Sequence, residues 1–259
     1  MQQQPGSDAS EARERSGDLD IAAIGAVLAD PARCRILLAL GDGRALPASR
    51  LASDAGISAA TASSHLNKLT GAGLLEVEVR GRYRYYRQTG PDVADLIEAL
   101  ERFAPALPVR SLRQSVRARA LRQARTCYDH LAGQLGVDLM DALIEREYLS
   151  VHAGGPDRSD GNATNPSNER QLFLTPSGNQ MLKDLGVALP AQKNDIRFHT
   201  DSSEQRSHLS GEFARSLLNA FIGHGWLRRT TESRVVLVTA DGRDAFARIF
   251  GISPAPSGS

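Results

Sequence analysis

Two short stretches of this chain concentrate side chains that can do chemistry: Arg125-Thr-Cys-Tyr-Asp-His130 and Arg197-Phe-His-Thr-Asp-Ser-Ser-Glu-Gln-Arg-Ser-His208. If they converge, Cys127, His130, His199 and His208 offer the thiolate and imidazole donors that zinc and softer ions take. Cys127 alone can serve as a redox-sensing thiol. The plainer reading makes His130 and His208 helix-start or core histidines with internal hydrogen bonds, and pairs Asp129 and Asp201 with nearby arginines. That reading carries more weight, so no metal and no cofactor is assigned. Arg125, Cys127, Asp129, His130, His199, Asp201 and His208 stand as candidate effector-site residues.

A second set of side chains suits a nucleic-acid duplex. Thr61, Ser63 and Ser64 are short and polar, His65 follows, and Lys68 lies one helical turn beyond Ser64. Small residues let a helix backbone approach a groove closely, while hydroxyls and imidazole meet base edges or phosphates. Arg80, Arg82 and Arg84 surround Gly81 and make a basic tip that can reach a phosphate backbone or a narrow minor groove. Base contact is assigned to Ser63, Ser64 and His65; Ser58 reads as a cap and Thr61 as partly structural.

Short helices must hold these groups. Ile21 to Leu28 shows helical apolar spacing, and Asp30-Pro31 starts a second helix that Gly41-Asp42-Gly43 stops. A third helix fits Pro47 to Ala55 and ends at Gly56, and Ser58 caps a fourth through Leu69. Two short helices across a tight glycine turn form a helix-turn-helix. Leu75, Val77 and Val79 then alternate with charged residues, Gly81 turns the chain, and Arg82 to Arg87 returns as a second strand, the wing of a winged helix. Pro91 to Phe103 is a further amphipathic helix carrying Val93, Leu96, Ile97, Leu100 and Phe103.

At this point the residues resemble a family. Leu28-Ala-Asp-Pro-Ala-Arg-Cys-Arg-Ile-Leu, then Ser58-Ala-Ala-Thr-Ala-Ser-Ser-His-Leu-Asn-Lys-Leu, then Ala72-Gly-Leu-Leu look like the ArsR-type winged-helix repressors, over about the first two-fifths of the chain. The resemblance implies a dimer held by the first and fifth helices, with the fourth in the major groove. Metal-sensing members carry cysteines in the third helix or a histidine and carboxylate set on the fifth. Here the third helix reads Leu46-Pro-Ala-Ser-Arg-Leu-Ala, and the fifth offers Asp92, Asp95, Glu98 and Glu101 without histidine, so those sites are absent. Cys34, among Ile36, Leu37 and Leu38, reads as a small hydrophobe.

The second half reads as an internal duplication. An arginine-rich stretch, Arg110 to Arg125, is expected to be a helix. His130 to Leu149 then aligns without gaps on His208 to Leu227, and each copy is followed by a strand and a Thr-x-x-Gly helix start, at Thr175 and Thr239. Neither copy has a polar recognition helix, so the two are expected to pack on each other around a shared axis. A subgroup of longer ArsR-type regulators resembles this half, each copy opening with Arg-x-Cys-x-Asp; the second copy departs from it with His199 and Ser202.

The reading is therefore mainly α with small β-hairpins: a leader at 1–18, a winged helix-turn-helix at 19–104, and an arginine-rich connecting helix at 105–126. Two winged-helix-like repeats follow at 127–190, with a mobile loop at 153–169, and at 191–251, before a disordered tail at 252–259. The net charge of +1 means that a duplex must be met by a local patch. No apolar run approaches the ~20 residues of a membrane span, and two distant cysteines suit a reducing cytoplasm. The expected function is a dimeric, DNA-binding transcription regulator, a repressor released by an unknown small-molecule or redox effector. The alternatives are a protein-docking scaffold or a thiol- or metal-responsive regulator using Cys127 and nearby histidines. An enzyme is not expected, since no glycine-rich strand-to-helix fingerprint occurs.

Overall fold

The computed structural model describes residues 19–105, 108, 111–153, 170–187, 196–230 and 234–255. Its first part is built from α1 (Ile21–Leu28), α2 (Pro31–Ala39), β1 (Leu46–Pro47), α3 (Ala48–Ala55), α4 (Ala59–Gly71), β2 (Leu75–Arg80), β3 (Tyr83–Gln88) and α5 (Pro91–Phe103). Asp30 caps α2 by accepting from the backbone N–H groups of Ala32 and Arg33, with Pro31 in the first turn where no donor is lost. Gly56 ends α3 in the left-handed conformation (φ 66°), which costs glycine little, and Ser58 then caps α4. The wing pairs Arg80 with Tyr83 across Gly81 and Arg82, and β1 adds a third strand in the order β1-β3-β2, which the sequence pattern does not announce. Ile36, Leu37, Leu51, Leu66 and Leu69 close the core between the helices.

The second part opens with α6 (Leu112–Gln123) and then runs through one order of elements twice. The first run is β4 (Arg125–Cys127), β5 (His130–Ala132), α7 (Gln134–Glu145), β6 (Leu149–Ala153), β7 (Arg170–Leu174) and α8 (Pro176–Asp184). The second is β8 (Arg197–Thr200), β9 (Ser207–Ser210), α9 (Gly211–Gly223), β10 (Leu227–Arg229), β11 (Val236–Val238) and α10 (Ala240–Phe250). Leu139, Leu143, Leu217, Leu218, Phe221 and Phe246 share one buried cluster, so α7 and α9 turn these faces into a common core, each lying against a hairpin of the other run, rather than toward a duplex.

Three expectations need correction. His130 and His208 do not start helices: they lie on β5 and β9, and α7 and α9 begin only after Gly133 and at Gly211. His-Leu-Ala-Gly and His-Leu-Ser-Gly read as helical by composition. Pairing with the preceding strand wins, and the two glycines, at φ 77° and 73°, break the path between strand and helix. The arginine-rich helix stops at Gln123, so Arg125 is a buried strand residue rather than part of the solvated arginine face. Ile252 is not tail but packs into the second core. The leader at 1–18, the loop from 154 onward and residues 256–259 lie outside the described residues.

The Thr-x-x-Gly motif has the same physical reason in both runs. Thr175 and Thr239 accept from the backbone N–H groups of Gly178 and Gly242, and their own N–H groups donate to the carbonyls of Tyr148 and Trp226. A Cβ on Gly178 or Gly242 would fall on those same carbonyl oxygens. Gly178→Ala and Gly242→Ala are therefore each expected to lower stability by about 1–3 kcal/mol in urea unfolding, the usual cost of overpacking. Gly223→Ala, where a Cβ meets nothing within 4 Å, should be neutral or stabilising. Equal behaviour of the three variants would contradict this packing.

Candidate functional site: an exposed recognition face and a buried polar junction

On α4, Ala62, Leu66 and Leu69 are buried, while Thr61, Ser63, Ser64 and Lys68 are exposed. The Thr61 hydroxyl lies 2.9 Å from Ser58 Oγ and belongs in part to the cap. His65 departs from the expectation. It stands three residues on from Ala62 and shares the buried stripe, with Nδ1 3.4 Å from the Arg33 guanidinium and Nε2 3.9 Å from the Asp30 carboxylate. It lies half-buried between α4 and α2 rather than on the exposed face. On the wing, Arg80, Arg82 and Arg84 are exposed. Arg80 pairs with Glu78 at 2.8 Å and lies over the Tyr85 ring, and Arg82 lies over Tyr83. Exposed pairs of this kind are weak and can yield to a phosphate.

The candidate effector-site residues are brought together where the second part meets α5. Arg125 is 4% exposed and Asp201 0%. The Arg125 guanidinium donates to both Asp201 oxygens at 3.0 Å and to the Ser203 hydroxyl at 3.0 Å. Asp201 also accepts from the Gly133 N–H at 2.7 Å and from the Ser203 and Glu204 N–H groups, so one carboxylate holds the β8–β9 loop, the start of α7 and the start of β4. Burial alone would raise its pKa; Arg125 and the Gly133 N–H outweigh burial and hold it down at about 2.

Cys127 and His130 are directly opposed in the β4–β5 hairpin, and His199 and His208 in the β8–β9 hairpin. Opposed residues of an antiparallel pair project from the same face, and the two hairpins face each other. The three imidazole Nε2 atoms form a triangle with edges of 3.3 Å (His130–His199), 2.9 Å (His199–His208) and 3.3 Å (His208–His130). Cys127 Sγ completes the group, all four donor atoms lying within 4.8 Å of one another. Each histidine turns Nδ1 to a carboxylate: His130 to Asp129 at 3.3 Å, His199 to Asp95 at 3.3 Å, His208 to Asp201 at 3.6 Å.

The residue that sequence reasoning missed is Glu98. It is a buried carboxylate on α5, whose Oε2 accepts from the Cys127 thiol at 2.7 Å and lies 3.1 Å from His199 Nε2. Its Oε1 lies 3.5 Å from Arg125 and accepts from the Ser202 N–H. Asp95, Glu98 and Glu101 are spaced by three and so form one acidic stripe along α5; Glu101 meets Ser202 and Arg234. That spacing was the available signal. Burial opposes ionisation of Glu98, but His199 and the thiol hold it below the usual carboxylate range. For Cys127, burial and then Glu98 push the thiol up, so it is a protonated, enclosed group with little nucleophilic character. Burial works against a charged His199, yet Asp95 and Glu98 raise it to about 9; His208, more deeply buried and beside the other two rings, is pushed well down.

Fold and exposed α4 face together define a winged helix-turn-helix protein with a large second part attached. Residues 28–78 match the helix-turn-helix domain family. Among curated proteins, the chain is 38% identical over 233 residues to an uncharacterized HTH-type transcriptional regulator, YdfF, of Bacillus subtilis, spanning 88% of this chain and 96% of that protein. It is 44% identical over 66 residues to the HTH-type transcriptional regulator CmtR of Mycobacterium tuberculosis, 26% of this chain and 55% of that one. Among solved structures, the homodimeric winged helix-turn-helix DNA-binding domain of Mb0332 from Mycobacterium bovis is 31% identical, covering 39% of this chain and 87% of that one with a TM-score of 0.30. The chain belongs to the HTH-type transcriptional regulators.

Removing one partner from a buried ion pair leaves the other charge uncompensated. Asp201→Ala is expected to cost about 3–5 kcal/mol in urea unfolding, and the double variant Arg125→Met, Asp201→Ala to recover part of the loss. A single variant within ~1 kcal/mol of the parent would show that the pair does not hold the junction.

Proposed function

We propose that this regulator works in the cytoplasm as a homodimer, inserting the exposed face of α4 into the major groove of a pseudo-palindromic operator. The wing arginines meet the flanking backbone, and an effector seated at the Glu98 junction releases the operator, so that the protein acts as a repressor. One observation carries the reading: Thr61, Ser63, Ser64 and Lys68 share an unburied surface on a glycine-preceded, serine-capped helix with three exposed wing arginines beside it. Binding rather than catalysis follows, since this surface offers hydroxyls and cations but no poised nucleophile or base.

The dimer is supported by what α1 and α5 leave uncovered. While Val93, Ala94 and Glu98 face inward, Leu96, Leu100 and Phe103 (85% exposed) do not, and Ile21 on α1 is likewise exposed. An exposed apolar stripe such as Leu96, Leu100 and Phe103 on α5 marks a protein contact. The effector seat is supported by the convergence of Arg125, Cys127, Asp129, His130, His199, Asp201 and His208 against the only helix that touches both parts through buried charge among the described residues.

An electrophoretic-mobility titration against the chain's own promoter region tests DNA recognition directly. Arg82→Ala should weaken binding to all duplexes alike and reduce the slope of log affinity against log salt by roughly one unit; an unchanged slope removes the wing from the phosphate backbone. Ser63 and Ser64 substitutions should change the motif recovered in a selection from random duplexes. Leu100→Asp should shift the chain toward monomer in sedimentation equilibrium, and a variant that stays dimeric would displace the contact from α5.

A further inference from the structure

We propose that Cys127, His130, His199 and His208 form a tetrahedral site for a divalent zinc-class metal ion, assembled across the two opposed hairpins. The proposal deepens the effector reading above and rests on it only for its regulatory meaning.

The geometry is already that of a ligand set. Metal–nitrogen bonds of about 2.0–2.1 Å in a tetrahedral zinc site place neighbouring ring nitrogens about 3.3–3.4 Å apart. Two edges of the Nε2 triangle measure 3.3 Å, and the third, at 2.9 Å, opens by a few tenths of an ångström. Cys127 Sγ lies within 4.8 Å of all three nitrogens and supplies the fourth donor. His130 and His199 have a carboxylate 3.3 Å from Nδ1, Asp129 and Asp95, while Asp201 stands 3.6 Å from His208 Nδ1, beyond hydrogen-bond reach. At His130 and His199 such partners hold Nδ1 and leave Nε2 facing inward; His199 Nε2 gives up its proton and its contact with Glu98 when it takes a metal. Three ring nitrogens converge on one buried point, where a metal ion can replace the proton they share. A core that needed only to be filled would not place them so.

The set also fits one ion class better than others. Three imidazoles and one thiol suit zinc and its borderline neighbours, not calcium or magnesium, which take oxygen donors. All four positions are protein side chains, as in structural and sensing sites rather than catalytic ones, which keep a position open. Binding displaces the Cys127 thiol proton to solvent and converts Cys127 into a thiolate ligand. The Cys127–Glu98 hydrogen bond is thereby lost, and Glu98 faces a thiolate at a distance where it had accepted a proton.

The site is also separate from those that ArsR-type metal sensors use. All four ligands come from hairpins of the second part; α5 contributes only Asp95 and Glu98 around them, and α3 contributes nothing.

The test uses the full chain, stripped with a chelator and titrated with zinc chloride and with cobalt chloride, without DNA. Expected are one tightly bound zinc ion per chain, measured by competition with a chromophoric chelator, and a cobalt complex with a thiolate charge-transfer band and intense tetrahedral ligand-field bands. Cys127→Ser should abolish the charge-transfer band, and His130→Asn should weaken zinc by at least about tenfold. Both variants are compared with the parent for their metal-free urea unfolding, so that lost binding is read only from folded protein. Cys34→Ser, away from the site with its thiol on the Leu28 carbonyl, should bind as the parent does. A parent chain that takes up no stoichiometric zinc overturns the proposal, as does undiminished binding by folded Cys127→Ser and His130→Asn. The mobility titration is run with chelator present, so failure to bind DNA and failure to bind zinc are separate results.

Discussion

Buried charge has to be paired, and in this protein that requirement is concentrated at one place. Arg125, Glu98 and Asp201 are almost wholly removed from water, where each unpaired ion would cost several kcal/mol. They can be tolerated only if the β4–β5 hairpin, the β8–β9 loop and α5 arrive together, because each element supplies a charge that another element neutralises. The pairing is weak evidence for stability in itself, since apolar replacements of similar shape often do as well. It is strong evidence for registry: slide one element by a residue and a bare charge is left inside.

The rest of the architecture follows from that layer. Two apolar cores lie on either side of it, one among α2, α3, α4 and the wing, the other between α7 and α9. Between them the contact is polar. It runs through the acidic stripe of α5, with smaller ties where the Tyr128 N–H donates to the Gly41 carbonyl and Arg44 reaches the Thr230 carbonyl. Helix α5 is therefore two-faced: carboxylates turn to the second part while Leu96, Leu100 and Phe103 turn away from it. Any change of charge around Glu98 acts on the same rigid helix that presents the apolar surface, and rigid helices with two partners are the elements through which sites are coupled.

Much of the first part was legible because its information is local. Asp30-Pro31, Gly56, Ser58 and Gly81 act within a few residues of themselves, and the structure uses each for the cap or turn its chemistry suggests. The exceptions are instructive. His65 looked like a base-reading residue because it follows Ser63 and Ser64, yet helical phase sets it beside Ala62 and Leu66, where Asp30 and Arg33 hold it. His130 and His208 looked helical because Leu, Ala and Ser follow them. A strand partner only three residues upstream in one case, and nine in the other, overrode that preference.

By itself, the sequence determined which short segments would be helix, turn or wing, that the order of elements recurs, and that Cys127, His130, His199 and His208 were donors worth watching. These follow from periodicity, capping and side-chain chemistry, all of which act over a turn or two of chain. Only the tertiary structure decided that the four donors converge, that Glu98 from the first part joins them, and that Arg125 is a buried counter-ion rather than one more arginine of a solvated helix. Convergence of groups some 70 to 80 residues apart depends on how two hairpins pack face to face, and nothing in the local spacing of residues encodes that distance.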